Sequence, residues 1–270
     1  MSQPLPVLFV PHGAPTFALQ PGAAGAALAA AADSLPRPRA IVVVSPHWET
    51  ANPTVGCAPR LDTIHDYWGF PEPLYGIRYP AEGDRAVAEE VFRRLDEHGF
   101  QPRLDDERGL DHGAWIPLRT MFPKGGIPVV PLSIQGGMGP DHHFRLGEAL
   151  ADLPRDGILL VASGNATHNL RDFQMALMQG TGTPGYVSSF ADWLWESIAA
   201  GDTDSLLGYR QLAPSAARAH PTEDHLLPLH FALGAAGPGY RPERLYSGVD
   251  SFVLAMDGYA LWPSGGFRDH

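Results

Sequence analysis

The feature that most constrains this chain is a set of short aliphatic runs, each cut off by proline or glycine: "PVLFV" at 6–10, "AIVVV" at 40–44, "PVVPLSI" at 128–134 and "GILLVA" at 157–162. Runs this short, rich in Val, Ile and Leu and lacking polar alternation, suit strands buried on both faces. None approaches the ~20 apolar residues needed to cross a bilayer. Strands are expected at about 6–10, 40–45, 128–134, 157–162 and 251–256. Helices are expected between them at about 22–33, 84–98, 141–152, 187–200 and 223–235. The segment 84–98 has apolar residues three and four apart and stops at His98 and Gly99. This alternation predicts an α/β fold, a single domain over 1–270 with a central, mostly parallel sheet covered by helices on both faces. A chain of 270 residues, 44% hydrophobic, can bury one large core.

Charge narrows the function. With 19 Lys+Arg against 30 Asp+Glu the net charge is -11, and clustered cations for neutralising nucleic-acid phosphates are missing. No basic amphipathic stretch suits an anionic membrane. The start "MSQPLPVLFV" lacks a positive leader and a cleavage pattern, so a cytoplasmic placement is expected. One cysteine, Cys57, allows neither an internal disulfide nor a multi-cysteine metal site.

Histidine is the distinctive residue, with 12 in the chain. Three aliphatic runs end by delivering one: His12 after "PVLFVP", His47 after "AIVVVSP" and His168 after "GILLVASGNAT". Ligands of open parallel sheets bind beyond the carboxyl ends of strands, so these three should share one rim. A buried imidazole without partners loses about 1–3 kcal/mol, and one transition-metal ion satisfies several at once. A further ligand is expected from "PTEDHLLPLHFALGAA". There His225 should occupy the first turn of a helix, whose positive end keeps the ring neutral, while His230 points elsewhere. His112, between Asp111 and Gly113, is a candidate aimed inward by a turn. The aromatic and proline-rich segment 61–82 reads as a long functional loop in which His65 would touch substrate. His98 is expected at a helix end, His142 and His143 in a solvated first turn, His220 before a proline and His270 at the terminus. No dinucleotide, P-loop or nucleophile-elbow motif follows a strand, and no carboxylate pair suits glycoside chemistry.

Taken together, "PHGAPTF", "SPHWET", "HDYWGFP", "DHGAWIPL", "SGNATHNL" and "EDHLLPLHFALGAA" resemble, in family order, the class III (LigB-type) extradiol ring-cleavage dioxygenases, closest to the 4,5-DOPA dioxygenase branch. The resemblance implies an enzyme that opens a small catechol beside its two hydroxyls with O2 at a non-haem metal. It matches His12, His47 and His225 to the metal ligands. His168 matches the acid/base histidine, which in this family can also approach the metal, and His112 matches a second active-site histidine. The loop bearing His65, Tyr67 and Trp68 would cover the ring. The wider superfamily commonly uses Glu as third ligand, so Glu223 or Asp224 is the alternative to His225. Fe(II) is the expected catalytic cofactor, because closed-shell zinc lacks redox chemistry, although zinc can occupy such a site in isolated protein. Competing readings are a zinc-dependent hydrolase and a non-catalytic Memo-like binding protein on the same fold. Arg78 and Arg108 are candidates to pair with a substrate carboxylate.

Overall fold

A computed structural model of the chain describes residues 4–180 and 182–264; His270 lies outside the described residues. The expected sheet is present, with eight strands: β1 (Val7–Pro11), β2 (Ala40–Glu49), β3 (Thr54–Gly56), β4 (Arg103–Asp105), β5 (Val129–Ile134), β6 (Ile158–Gly164), β7 (Arg241–Tyr246) and β8 (Gly258–Trp262). Their order is β4-β3-β5-β2-β6-β1-β8-β7. The four central strands β5, β2, β6 and β1 run parallel, and every residue of β1, β5 and β6 is buried. Continuous burial is why these strands read as unbroken aliphatic runs. β8 and β7 add antiparallel to one edge, and β3 meets β5 antiparallel on the other side.

The main helices are α1 (Gly22–Ser34), α2 (Arg85–Glu97), α3 (His112–Met121), α4 (Gly139–Glu148), α5 (Leu170–Gln179), α6 (Gly185–Ala200) and α7 (Leu227–Ala236). α7 is buried along its length, pairing with α4 and lying on β6 and β1, while α1 pairs with α3, which rests on β2 and β6. Among the described residues no helix is long and apolar enough to cross a membrane.

Four local expectations need correction. The strand expected at 251–256 is not part of the large sheet: Leu254–Ala255 pairs only with Val249–Asp250, and the edge strand is β8. Ser251 and Phe252 take positive φ there, a turn geometry that breaks an extended run. The last helix starts at Leu227, because residues 223–226 form a turn in which Leu226 and Leu227 N–H groups both bond to Glu223 O. His225 therefore precedes the helix. His142 and His143 are buried: α4 starts at Gly139, and both rings engage Gln135.

Candidate metal centre

Five histidines meet at the carboxyl rim of β1, β2 and β6, each delivered by a different device. His12 follows β1 directly. His47 sits on a bulge: Val44 pairs with Leu132 and Glu49 with Ile134, so four intervening residues of β2 stand against one of β5. Such a bulge re-aims side chains, and here it turns the "SPHW" segment toward the site. His112 is the first residue of α3, whose N-cap Asp111 accepts from Ala114 N–H and from Ser45 Oγ at 2.6 Å. The next residue must be small, since a Cβ on Gly113 would stand 2.4 Å from Ser45 Oγ and 2.8 Å from the His47 ring.

His168 and His225 come from irregular chain that backbone bonds tie down. After β6, Asn165 N–H donates to His225 O, Ala166 N–H to Ala255 O and His168 N–H to Ala219 O. Buried loop amides are thereby satisfied without a ladder. Gly164 allows the close approach, for a Cβ there would lie 2.4 Å from His225 O. The His168 and His225 rings stack at 3.4 Å and 4°.

The ring nitrogens divide into two sets. His12 Nδ1 lies 3.0 Å from Ser163 Oγ, His225 Nδ1 2.5 Å from Asp224 Oδ2, and His47 Nδ1 3.7 Å from Asp66 Oδ2. With the outer nitrogens of His12 and His225 engaged, the Nε2 atoms turn inward: His47 Nε2 and His12 Nε2 are 3.3 Å apart, and His225 Nε2 is buried with no hydrogen-bond partner. The three ring centroids form a nearly equilateral triangle of 5.1, 5.2 and 5.0 Å. Imidazoles held from behind by oxygen partners, with an unpartnered nitrogen in front, fit a divalent metal. A second triple shares two of these residues: His12, His47 and His112 each offer a nitrogen within 4.8 Å of the other two. Glu223 and Asp224 offer less. Glu223 accepts from Tyr209 OH and faces Arg210, while Asp224 is engaged with His225.

Burial keeps four of the five rings, His12, His47, His168 and His225, neutral. Burial, then neighbouring histidines, hold His12 and His225 well below the ordinary imidazole value. Burial and His112 bring His47 to about 3, and burial brings His168 to about 4 against the opposing pull of Asp224. Neutral imidazole is the form that binds metal and accepts protons.

The cluster floors a cleft of about 650 Å³ whose walls include Tyr67, Trp68, Phe70 and α5. Of the loop residues expected at substrate, Tyr67 and Trp68 line it, and the Trp68 side chain is 86% exposed at its edge. His65 is not among the lining residues: its Nε2 lies 3.0 Å from Ile77 O and its ring packs on Tyr67 and Trp115. Arg78 is drawn to Tyr75 O and Ile77 O, and Arg108 to Asp111 and His47 O, so neither lines the cleft.

The sequence reading passed over Asp66, which sits between His65 and Tyr67. Its Oδ1 accepts from His112 N–H at 2.9 Å and its Oδ2 pairs with His112 Nδ1 at 3.0 Å. Burial opposes ionisation, but the hydrogen bonds and charge of His112 prevail and hold the carboxyl at about 2. The position of Asp66 directly between His65 and Tyr67 in the aromatic loop was the available signal. Asn165 was also missed; its Nδ2 lies 3.4 Å from His12 Nε2 and its Oδ1 accepts from Gly13 N–H.

A parallel α/β sheet with a histidine cluster at its carboxyl rim, under an apolar cleft, defines a metal-binding enzyme site. Residues 22–250 match the family described as the catalytic LigB subunit of aromatic ring-opening dioxygenase. The chain is 38% identical over 224 residues to 4,5-DOPA dioxygenase extradiol of Beta vulgaris, covering 83% of this chain and 82% of that one. It is 37% identical over 258 residues to 4,5-DOPA dioxygenase extradiol of Escherichia coli K12, covering 93% of each. A solved structure described as an uncharacterized protein of Escherichia coli K12 superposes with TM-score 0.77 at 31% identity, covering 95% of this chain and 99% of that one. The chain belongs to the LigB family, and it is an aromatic ring-opening dioxygenase of the extradiol type. The hydrolase and binding-protein readings find no support in these relatives.

Proposed function

We propose that the chain opens DOPA-like catechols with O2 at iron(II) held by His12, His47 and His225. The observation that carries the ligand choice is the buried, unpartnered Nε2 of His225, which completes a triangle of rings with His12 and His47. His112 is assigned to flank the metal because the family resemblance places a non-ligand histidine there; Asp66 holds its Nδ1 and its Nε2 faces a substrate or oxygen atom. The substrate class is supported by the activity for which the relatives are named and by the cleft, whose walls are largely apolar.

Iron(II) would supply the Lewis acidity that lowers a catechol hydroxyl from its ordinary value near 10, and the redox access that triplet O2 requires. The chain's residues do the rest. His168, neutral and stacked on His225, accepts a hydroxyl proton and returns one on ring opening. His112 Nε2 orients the oxygen it faces. Tyr67, Trp68 and Phe70 pack on the ring and exclude water, and His65 supports that loop from behind. Residues 1–270 acting as one catalytic domain belong to the same proposal, supported by cleft residues drawn from His12 through Leu254. So does a cytoplasmic placement, supported by the free Cys57.

The test is oxygen uptake by anaerobically iron(II)-loaded protein with L-DOPA, protocatechuate and caffeate, visible spectra being recorded in parallel. Stoichiometric uptake with a new yellow chromophore is expected. No uptake at confirmed iron occupancy would refute the proposal.

A further inference from the structure

We propose that Arg171 is the specificity residue of the cleft, selecting catechols whose ring substituent carries a carboxylate. This deepens the ring-opening reading and rests on it. The inference starts from charge. Asp66 and Asp224 line the cleft and are engaged with His112 and His225. Among the described residues Arg171 is the only Lys or Arg lining it, and it has no hydrogen bond, ion pair or aromatic partner there.

Among the described residues Arg60, Arg103, Arg145 and Arg171 have no side-chain partner, and of these four only Arg171 lines the cleft. Arg85, Arg93, Arg94, Arg108, Arg210, Arg218 and Arg244 all pair with carboxylates. The base of Arg171 is nonetheless fixed, since it is the second residue of α5 and both its neighbours in the loop and helix are tied down. Asn169 caps the helix by accepting from Asp172 N–H and donates to Arg218 O, and Asp172 pairs with Arg218 Nε at 2.9 Å. Those contacts anchor the first turn of α5, and Arg171 is an exposed residue of the cleft lining.

A substrate carboxylate entering a cleft lined by Asp66 and Asp224, on a protein of net charge -11, meets local repulsion unless a cation offsets it. A guanidinium supplies two parallel N–H donors matched to a carboxylate, so it selects by geometry as well as by charge. Arg78 and Arg108 cannot serve, being occupied outside the cleft.

The test is calorimetric binding to iron(II)-loaded protein without oxygen, comparing L-DOPA and 3,4-dihydroxyphenylacetate with the uncharged 4-methylcatechol. Wild type should bind the carboxylated catechols more tightly, and the preference should shrink as salt rises. Arg171→Gln should weaken the carboxylated ligands about tenfold or more and 4-methylcatechol less than twofold, with Arg171→Lys between. Equal weakening of both ligand classes, or none of the carboxylated ones, overturns the assignment. Admitting oxygen separates the two readings: selective binding without ring opening upholds Arg171 and removes the dioxygenase assignment. Turnover of all three catechols with no dependence on Arg171 does the reverse.

Discussion

Asp66→Asn isolates the tautomer of His112 from the fold around it. The amide oxygen still accepts from His112 N–H, preserving the contact that fixes the start of α3. The amide nitrogen, however, places a donor where His112 Nδ1 now donates, so the ring must either lose that bond or move its proton to Nε2. Nε2 would then be a donor toward the cleft instead of an acceptor. A charge-assisted hydrogen bond is worth about 1.5–3 kcal/mol, or roughly tenfold to a hundredfold in rate if felt in the transition state. Oxygen-uptake kinetics should show kcat/KM for L-DOPA lower by that factor, carried mainly by kcat. Stability changes separately. A carboxyl held at about 2 against an ordinary 3.8 contributes stability above pH 3.8, about 2 kcal/mol, that is lost as pH falls through 2. The melting temperature at neutral pH should therefore drop by about 4–8 °C. Asp66→Ala, which removes both bonds, should melt lower still. If Asp66→Asn turns over like wild type while losing the expected stability, Asp66 merely holds the loop and the tautomer reasoning is wrong.

Three further outcomes are expected. His168→Ala should retain iron by elemental analysis yet lose about 10²–10⁴ in kcat; normal turnover would remove its acid/base role. Metal-free protein should lose stability on acidification: His168 and His143, held by burial at about 4 and about 3, bind protons near 6.5 when unfolded, so the unfolded state takes up more protons as pH falls from 6.5 toward 4. The cost is about 1.4 kcal/mol per pH unit per histidine, and an acid titration followed by circular dichroism that is flat over this range would contradict it. Gly164→Ala should destabilise the protein by about 1–3 kcal/mol and reduce metal occupancy, because the new methyl meets His225 O; unchanged melting and iron content would show that the approach of the two loops is not required.

What could be read from sequence, and what could not, follows from how far each signal reaches along the chain. The central strands were legible because burial on both faces leaves an unbroken aliphatic run, and α2 because its period and its Asp84 cap are local. β7 was not, since "RPERLY" alternates exposed and half-buried residues at a sheet edge and carries no comparable run. α3 hid because its first turn holds His112 and Gly113, which read as a turn. The five site histidines were visible as strand ends and turns, and the relatives match the family they suggested. Asp66 was overlooked for a different reason: its place beside His65 hints at a role, but its contact with His112, 46 residues away, is encoded by no local pattern.

The same separation explains how the site is built. The parallel strands supply a rigid rim, but only His12 leaves a strand directly; His47 depends on a bulge, His112 on a helix start, and His168 and His225 on loops fastened to each other by backbone bonds. Each device needs a residue whose role is spatial: Gly113 beneath His47, Gly164 beneath His225, Asp66 behind His112. Strand cores tolerate exchange among aliphatics of similar volume, whereas these positions have a backbone or a charge within contact distance and no slack. Substitutions in the middle of β5 should therefore lower stability and leave turnover per folded molecule intact. Substitutions at Gly113, Gly164 or Asp66 should separate the two, reducing turnover by more than the loss of folded protein accounts for.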